Sequence, residues 1–259
     1  MSRTMSGMLF ISMLLLSISF AVRAANAAPA GMTLPAEVSL RAMVSLIECQ
    51  LTSNAQALRI VAASEAASSG NWEKLAPLLA EVQPVTSGLT WYARPDGTYR
   101  AVGADTAGLS LKDRPYFARL LAGETVIGEL VKGKFTGRSS AVVAVPVIRD
   151  KQVVGAVGAS IYLNELSSRL TTILNLPNGW GIWSLDSSGK ITVLHAISER
   201  IFLDPSEGGS PSLIMAVHRM LRKPSGLAAY TWTDGNKREV TFRRSEVLKW
   251  IVVIDSPAK

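Results

Sequence analysis

The stretch Asp113-Arg114-Pro115-Tyr116-Phe117 opens a fifty-residue segment, 113–162, that reads as a short helix followed by three strands. Asp113 is a candidate N-cap, and Pro115 falls in the first turn, where its missing N–H removes no helical hydrogen bond. Ala118 to Ala122 continue the helix to Gly123, a residue suited to a C-terminal stop. Three β-rich runs follow: Thr125–Val131, Ser139–Ile148 and Gln152–Tyr162. They are separated by turn-like residues 132–138 and by Arg149-Asp150-Lys151. The pattern predicts a short helix laid across an antiparallel meander.

Upstream, Glu37 to Ser68 contains neither proline nor glycine and sets Leu40, Val44, Ile47, Leu51, Ala55, Leu58 and Ala62 at three- or four-residue steps. That is one apolar stripe on a long helix, either a spine for the rest of the fold or a dimerising coiled coil. Trp72–Val82 predicts a second helix that Pro77 must bend or restart. Leu89–Ala93 and Thr98–Val102 flank the turn Arg94-Pro95-Asp96-Gly97, which predicts a hairpin. With the three strands downstream this makes a five-stranded antiparallel sheet. The same order then recurs: hairpin 182–194 around Asp186-Ser187-Ser188-Gly189, helix Ser212–Leu221, then strands Leu227–Thr233, Lys237–Arg243 and Lys249–Ile254. An amphipathic helix, Leu163–Leu174, joins the copies. The expected fold class is therefore α+β: a spine helix over 37–68 and two modules, 69–165 and 178–257.

Arg114-Pro115-Tyr116-Phe117, Gly137-Arg138-Ser139, Val143-Ala144-Val145-Pro146-Val147 and Val154-Gly155-Ala156-Val157-Gly158-Ala159-Ser160-Ile161 together resemble the core of a bacterial extracytoplasmic Cache domain, a PAS-like sensor module. The likeness covers about residues 37–165 well and the remainder weakly. It implies a double-Cache architecture in which the first module binds a small molecule between the helix-side loop and the sheet. It also implies that Trp91 or Tyr99 lines the pocket. In amino-acid-sensing Cache members an aspartate commonly stands where this chain has Ser160, and its carboxylate would pair with a ligand ammonium. With a hydroxyl there instead, the expected ligand is a small anionic metabolite such as an organic acid, lacking an amine.

Arg114 is the leading site candidate on chemical grounds, because a guanidinium presents a fork of donors suited to a carboxylate. Tyr116 and Phe117 would supply walls that exclude water. Trp91 and Tyr92 alternate along a strand, so one faces the pocket side and the other the spine or solvent. Lys134 and Arg138 read as solvated turn charges that at most gate an anion. Arg238, Arg243 and Arg244 read as a basic strand edge that discourages aggregation.

Composition narrows the function classes. The chain has 259 residues, 48% hydrophobic and 18% charged, enough for one large or two small domains rather than a disordered chain. Residues 1–27 carry Arg3, an apolar run from Met8 to Val22, Arg23 and Ala25-Asn26-Ala27, the pattern of a cleaved secretory signal peptide. An uncleaved N-terminal inner-membrane anchor facing the periplasm is the alternative. Cleavage after Ala27 would remove Arg3 and Arg23 and no acid, taking the formal charge from +7 to +5. A basic periplasmic protein meets small anions or acidic surfaces rather than nucleic acid. Cys49 is the single cysteine, so no internal disulfide forms. His195 and His218, the two histidines, lack ligand-spaced carboxylates, so no metal and no cofactor is expected. Nucleophile-elbow, phosphate-loop and zinc-protease motifs are missing, which argues against an enzyme. The last strand is followed only by Ser256-Pro257-Ala258-Lys259, and the expectation is action through a partner such as a membrane receptor or kinase. An accessory interaction protein without ligand, a receptor fragment and a homodimer through the long helix remain open.

Overall fold

The computed structural model describes residues 35–258, so the signal peptide expected over 1–27 lies outside the described residues. Helix α1 (Ala36–Ala62) is followed by α2 (Glu65–Ser69) and α3 (Trp72–Thr86). The long helix expected over 37–68 is thus two. It breaks at Ala63-Ser64, where the Ser64 side chain accepts the Ala67 N–H and starts a new N-terminus. Helix α3 carries both Pro77 and Pro84 and runs through them, ending at Ser87 with a positive φ. Among the described residues no helix is long and apolar enough to cross a membrane.

The first module consists of β1 (Gly88–Ala93), β2 (Tyr99–Ala101), α4 (Pro115–Leu121), β3 (Val126–Lys132), β4 (Ser139–Arg149) and β5 (Gln152–Tyr162), with sheet order β2-β1-β5-β4-β3. After α5 (Leu163–Leu174) the plan repeats as β6 (Gly181–Leu185), β7 (Thr192–His195), α6 (Pro211–Leu221), β8 (Ser225–Thr231), β9 (Lys237–Arg244) and β10 (Ile251–Pro257). Its order, β7-β6-β10-β9-β8, is the same order again. Two five-stranded antiparallel sheets with a spine helix is the expected fold class.

Each sheet is covered on both faces. Leu40, Val44, Ile47, Leu51, Ala55 and Leu58 of the α1 stripe are all buried, in one cluster that takes in Val143, Val157 and Ile161 of the first sheet and Val252 and Ile254 of the second. The stripe is therefore used within the chain, as a spine. A coiled-coil partner could meet only the opposite face, where Leu46 and Ile60 are exposed. Glu48 ties the spine to the second module: its Oε1 accepts from Ser245 Oγ at 2.6 Å and from the Glu246 N–H at 3.1 Å. Cys49 lies exposed off the stripe, as its position predicts. The opposite faces carry α4 and α6 over separate clusters, one around Trp91, Tyr116 and Phe117, the other around Trp183, Leu213 and Phe242.

Glycines in β5 make room for the aromatics of β1. Trp91 pairs with Gly158 across the strands, and a Cβ at Gly158 would run into the Trp91 indole. On the other face a Cβ at Gly155 would come within 2.6 Å of the Tyr92 hydroxyl. Gly158→Ala should therefore act as an overpacking substitution, destabilising by about 1–3 kcal/mol and displacing Trp91. Chemical denaturation together with near-ultraviolet circular dichroism checks this; an unchanged midpoint and spectrum would contradict it.

Candidate functional site

Helix α4 begins with Pro115 at its first position, which places Arg114 rather than Asp113 at the N-cap, without a side-chain cap bond. Asp113 instead accepts from Lys134 Nζ at 2.5 Å, across the gap between the helix start and the β3–β4 loop. That bond, with the charge of Lys134, holds the Asp113 carboxyl below its usual range. Arg114 Nη2 donates to the Lys132 carbonyl at 2.6 Å, a second tie between the same two segments. The loop is thus pinned over the helix N-terminus.

Beneath it lies a cavity of about 30 Å³, lined by Trp91, Tyr99, Arg114, Tyr116, Lys134 and Ser160 among others. This is room for one or two water molecules. Five of the six residues expected to form the site meet here. Phe117 does not: one step further round the helix from Tyr116, it is fully buried against the sheet. Trp91, not Tyr92, faces the cavity, and its Nε1 donates to Ser160 Oγ at 3.2 Å. Burial pushes the Tyr116 hydroxyl pKa well up, so it remains protonated. The lining contains two cations and no carboxylate. Lys134 belongs to the site more closely than a solvated turn charge would. Arg138 does not, since it bonds Asn164 and Glu165 at the start of α5 and lies over the Tyr162 ring.

A hollow of about 540 Å³ occurs in the second module, between α6, the 195–207 loop and the sheet. Sequence reasoning missed its polar centre. Asp255, on β10, is buried, with Arg238 Nη2 at 2.8 Å from its Oδ1 and the Tyr230 hydroxyl donating to its Oδ2 at 2.8 Å. Arg238 is therefore no edge guard. β9 is an inner strand, the edge being β8, and Arg244 likewise turns inward to donate to the Leu221 carbonyl at 3.0 Å. The signal that could have found Asp255 was its place in the repeat. Trp91 pairs with Gly158, and two positions along Leu89 pairs with Ser160; Trp183 pairs with Val253, and Gly181 with Asp255. Asp255 occupies in the second module the position Ser160 occupies in the first. Gly181 is what leaves space for its carboxylate, since a Cβ there would strike Oδ1.

No protein-family model matches the sequence, and no curated protein matches it. Solved structures do match in fold. The ligand-binding domain of the Pseudomonas aeruginosa amino acid chemoreceptor PctB, in complex with L-Arg, is 19% identical, with a TM-score of 0.65 over 85% of this chain and 93% of that one. The ligand-binding domain of the Pseudomonas fluorescens chemoreceptor CtaA, with L-alanine, is 16% identical, with a TM-score of 0.69 over 86% and 96%. The extracellular domain assigned to histidine kinase rpHK1S-Z16 is 18% identical, with a TM-score of 0.66 over 86% and 92%. At these identities the likeness establishes the fold, which is that of Cache-type extracellular ligand-binding domains.

His195 lines the larger hollow, its Nδ1 accepting the Ile197 N–H at 2.9 Å. Burial, with the nearby Arg200 charge, lowers its pKa from 6.5 to about 4. Between these values the unfolded chain binds a proton that the folded chain refuses, so stability should fall as pH drops from about 6.5 to about 4. Asp96, Asp113 and Asp204 are held below 3.8 and give up their contribution at lower pH. Urea midpoints measured across that window should decline less steeply for His195→Asn; equal slopes would contradict the assignment.

Proposed function

We infer that this protein is a periplasmic, non-enzymatic small-molecule sensor whose first module takes a small anionic metabolite, such as an organic acid, against Arg114. The reading rests on one observation: the cavity beneath the β3–β4 loop is lined by Arg114 and Lys134 and by no acid. A carboxylate entering there would find a guanidinium, an ammonium, the Ser160 hydroxyl and the Trp91 N–H, with Tyr99 and Tyr116 excluding water. A zwitterion would bring an ammonium with no carboxylate in the lining to receive it, and stripping that charge of water without a partner is unfavourable.

Binding is coupled to opening. A cavity of about 30 Å³ does not hold an organic acid, so the ligand must displace the Arg114 bond to the Lys132 carbonyl and the Lys134–Asp113 pair. Both bonds join the helix start to the β3–β4 loop, which makes ligand entry a movement of that loop. The Pseudomonas neighbours are ligand-binding domains of chemoreceptors, which supports a sensory role exercised through a receptor or kinase partner. The cavity's small size is the observation that favours the second reading, an accessory protein whose first module stays closed. Native mass spectrometry of freshly purified protein separates the two, since only the sensor retains a small molecule.

A thermal-shift and calorimetric panel of acetate, lactate, pyruvate and succinate against L-alanine and L-arginine tests the specificity. A ligand at one hundred times its Kd should add about 2.7 kcal/mol of stability. Organic acids should raise the midpoint, and Arg114→Ala should weaken their binding at least tenfold, the loss of about 1.5–3 kcal/mol typical of a hydrogen bond to a charged group. Strong stabilisation by an amino acid with none by any acid would overturn the proposal.

A further inference from the structure

The repeat places an equivalent tryptophan in each module, and the two differ in one respect. In the first module Trp91 Nε1 donates to Ser160. In the second, Trp183 is 7% exposed and lines the 540 Å³ hollow, yet its Nε1–H has no hydrogen-bond partner. A buried, unpaired indole N–H is unfavourable by an amount comparable to a lost hydrogen bond, and such groups are uncommon in folded proteins. The residue at the position of Ser160 is Asp255, whose Oδ1 accepts from Arg238 and whose Oδ2 accepts from Tyr230, and the Trp183 N–H reaches neither oxygen.

We propose that the second-module hollow is a binding site for an uncharged, planar aromatic or heteroaromatic molecule carrying a hydrogen-bond acceptor, to which the Trp183 N–H, shielded from solvent in this structure, donates once the indole turns toward the hollow. The volume suits such a ligand, since small-molecule sites run to roughly 300–1,000 Å³. The walls suit it as well. Trp183, Tyr230 and Trp232 all line the hollow, the latter two edge to face with ring centroids 5.8 Å apart. Arg200 caps the Trp232 ring at 4.6 Å from its centroid.

The charges around the hollow argue for a neutral occupant. Three basic side chains, Arg200, Lys237 and Arg238, face four acidic ones, Asp204, Glu207, Asp234 and Asp255. The pair at the centre, buried Asp255 and half-buried Arg238, is closed on itself at 2.8 Å, and Asp204 and Asp234 accept from the backbone N–H groups of Ser206 and Asn236. His195 is neutral at physiological pH. An anion or cation at the centre would have to break the Arg238–Asp255 pair and leave one buried charge alone, which is strongly unfavourable. A neutral ring needs no such break, and it can take the Trp183 proton while stacking on Trp232. The chemistry differs from that of the cationic first-module cavity, so the two modules would read different molecules.

Nicotinamide, adenine and uracil are suitable probes, tested by calorimetry and by the indole region of the ¹H–¹⁵N spectrum of the full chain. At least one should bind, moving one indole N–H resonance downfield as it gains an acceptor. Trp183→Phe, which keeps an aromatic wall but removes the donor, should erase that resonance and weaken binding about fivefold to tenfold, the equivalent of roughly 1 kcal/mol for one hydrogen bond. Trp232→Ala, which removes a half-buried wall of the hollow, should weaken it further in a variant whose circular dichroism shows it folded. The proposal is overturned if none of the three probes binds at millimolar concentration, if binding is indifferent to both substitutions, or if acetate or lactate competes for the same resonance.

Discussion

The structure depends on one packing constraint: a single helical stripe must cover two sheets. Leu40 to Leu58 of α1 contribute to a core that takes in Val143, Val157 and Ile161 from one module and Val252 and Ile254 from the other. Neither sheet can leave that face uncovered without exposing a row of β-branched side chains, an effect of about 25 cal/mol for each Å². The two modules are consequently not independent beads. They share one interior, and Glu48 adds a polar clasp at the point where the spine meets the β9–β10 loop.

With one face of each sheet committed to the spine, the other is left for a module's own helix, and the cavities around Arg114 and around Asp255 form there. The helices begin alike, with a proline at the first position of α4 and of α6. They differ at the N-cap. Arg114 stands at one, its guanidinium directed to the Lys132 carbonyl; Ser210 stands at the other, its hydroxyl accepting the Leu213 N–H. One fold thus presents a charged donor in the first module and an ordinary cap in the second. The acid moves the opposite way, with Ser160 in the first sheet and Asp255 at the matching position of the second. The same backbone, with two exchanged side chains, offers two different chemical environments.

Much of the architecture was legible because it rests on short-range patterns. The β5 segment, α5 and the 94–97 turn are set by a continuous run of small and β-branched apolar residues, by leucine spacing and by Asp-Gly chemistry, all contained within a dozen residues. The break between α1 and α2 was not, because Ser64 is an unremarkable residue until its hydroxyl is seen accepting from Ala67. Asp113 illustrates the opposite case. Its position suggested a cap, but an ammonium twenty-one residues away in sequence, Lys134, competes for the carboxylate and wins.

The sequence by itself determined the repeat, the strand and helix order and the buried stripe of the spine, while the grouping of Trp91, Tyr99 and Ser160 with Arg114 was what the Cache resemblance implied. The repeat, the order and the stripe follow from periodicity and from the way a strand must alternate its faces. Only the tertiary structure decided that Phe117 belongs to the core, that the β3–β4 loop is pinned over the first cavity, and that a hollow of about 540 Å³ lies in the second module around Asp255 and an unpaired Trp183. The physical reason is that a cavity is the space left when distant segments pack. Its size and its unsatisfied groups depend on pairings across the fold, such as Arg238 with Asp255, which no local pattern encodes.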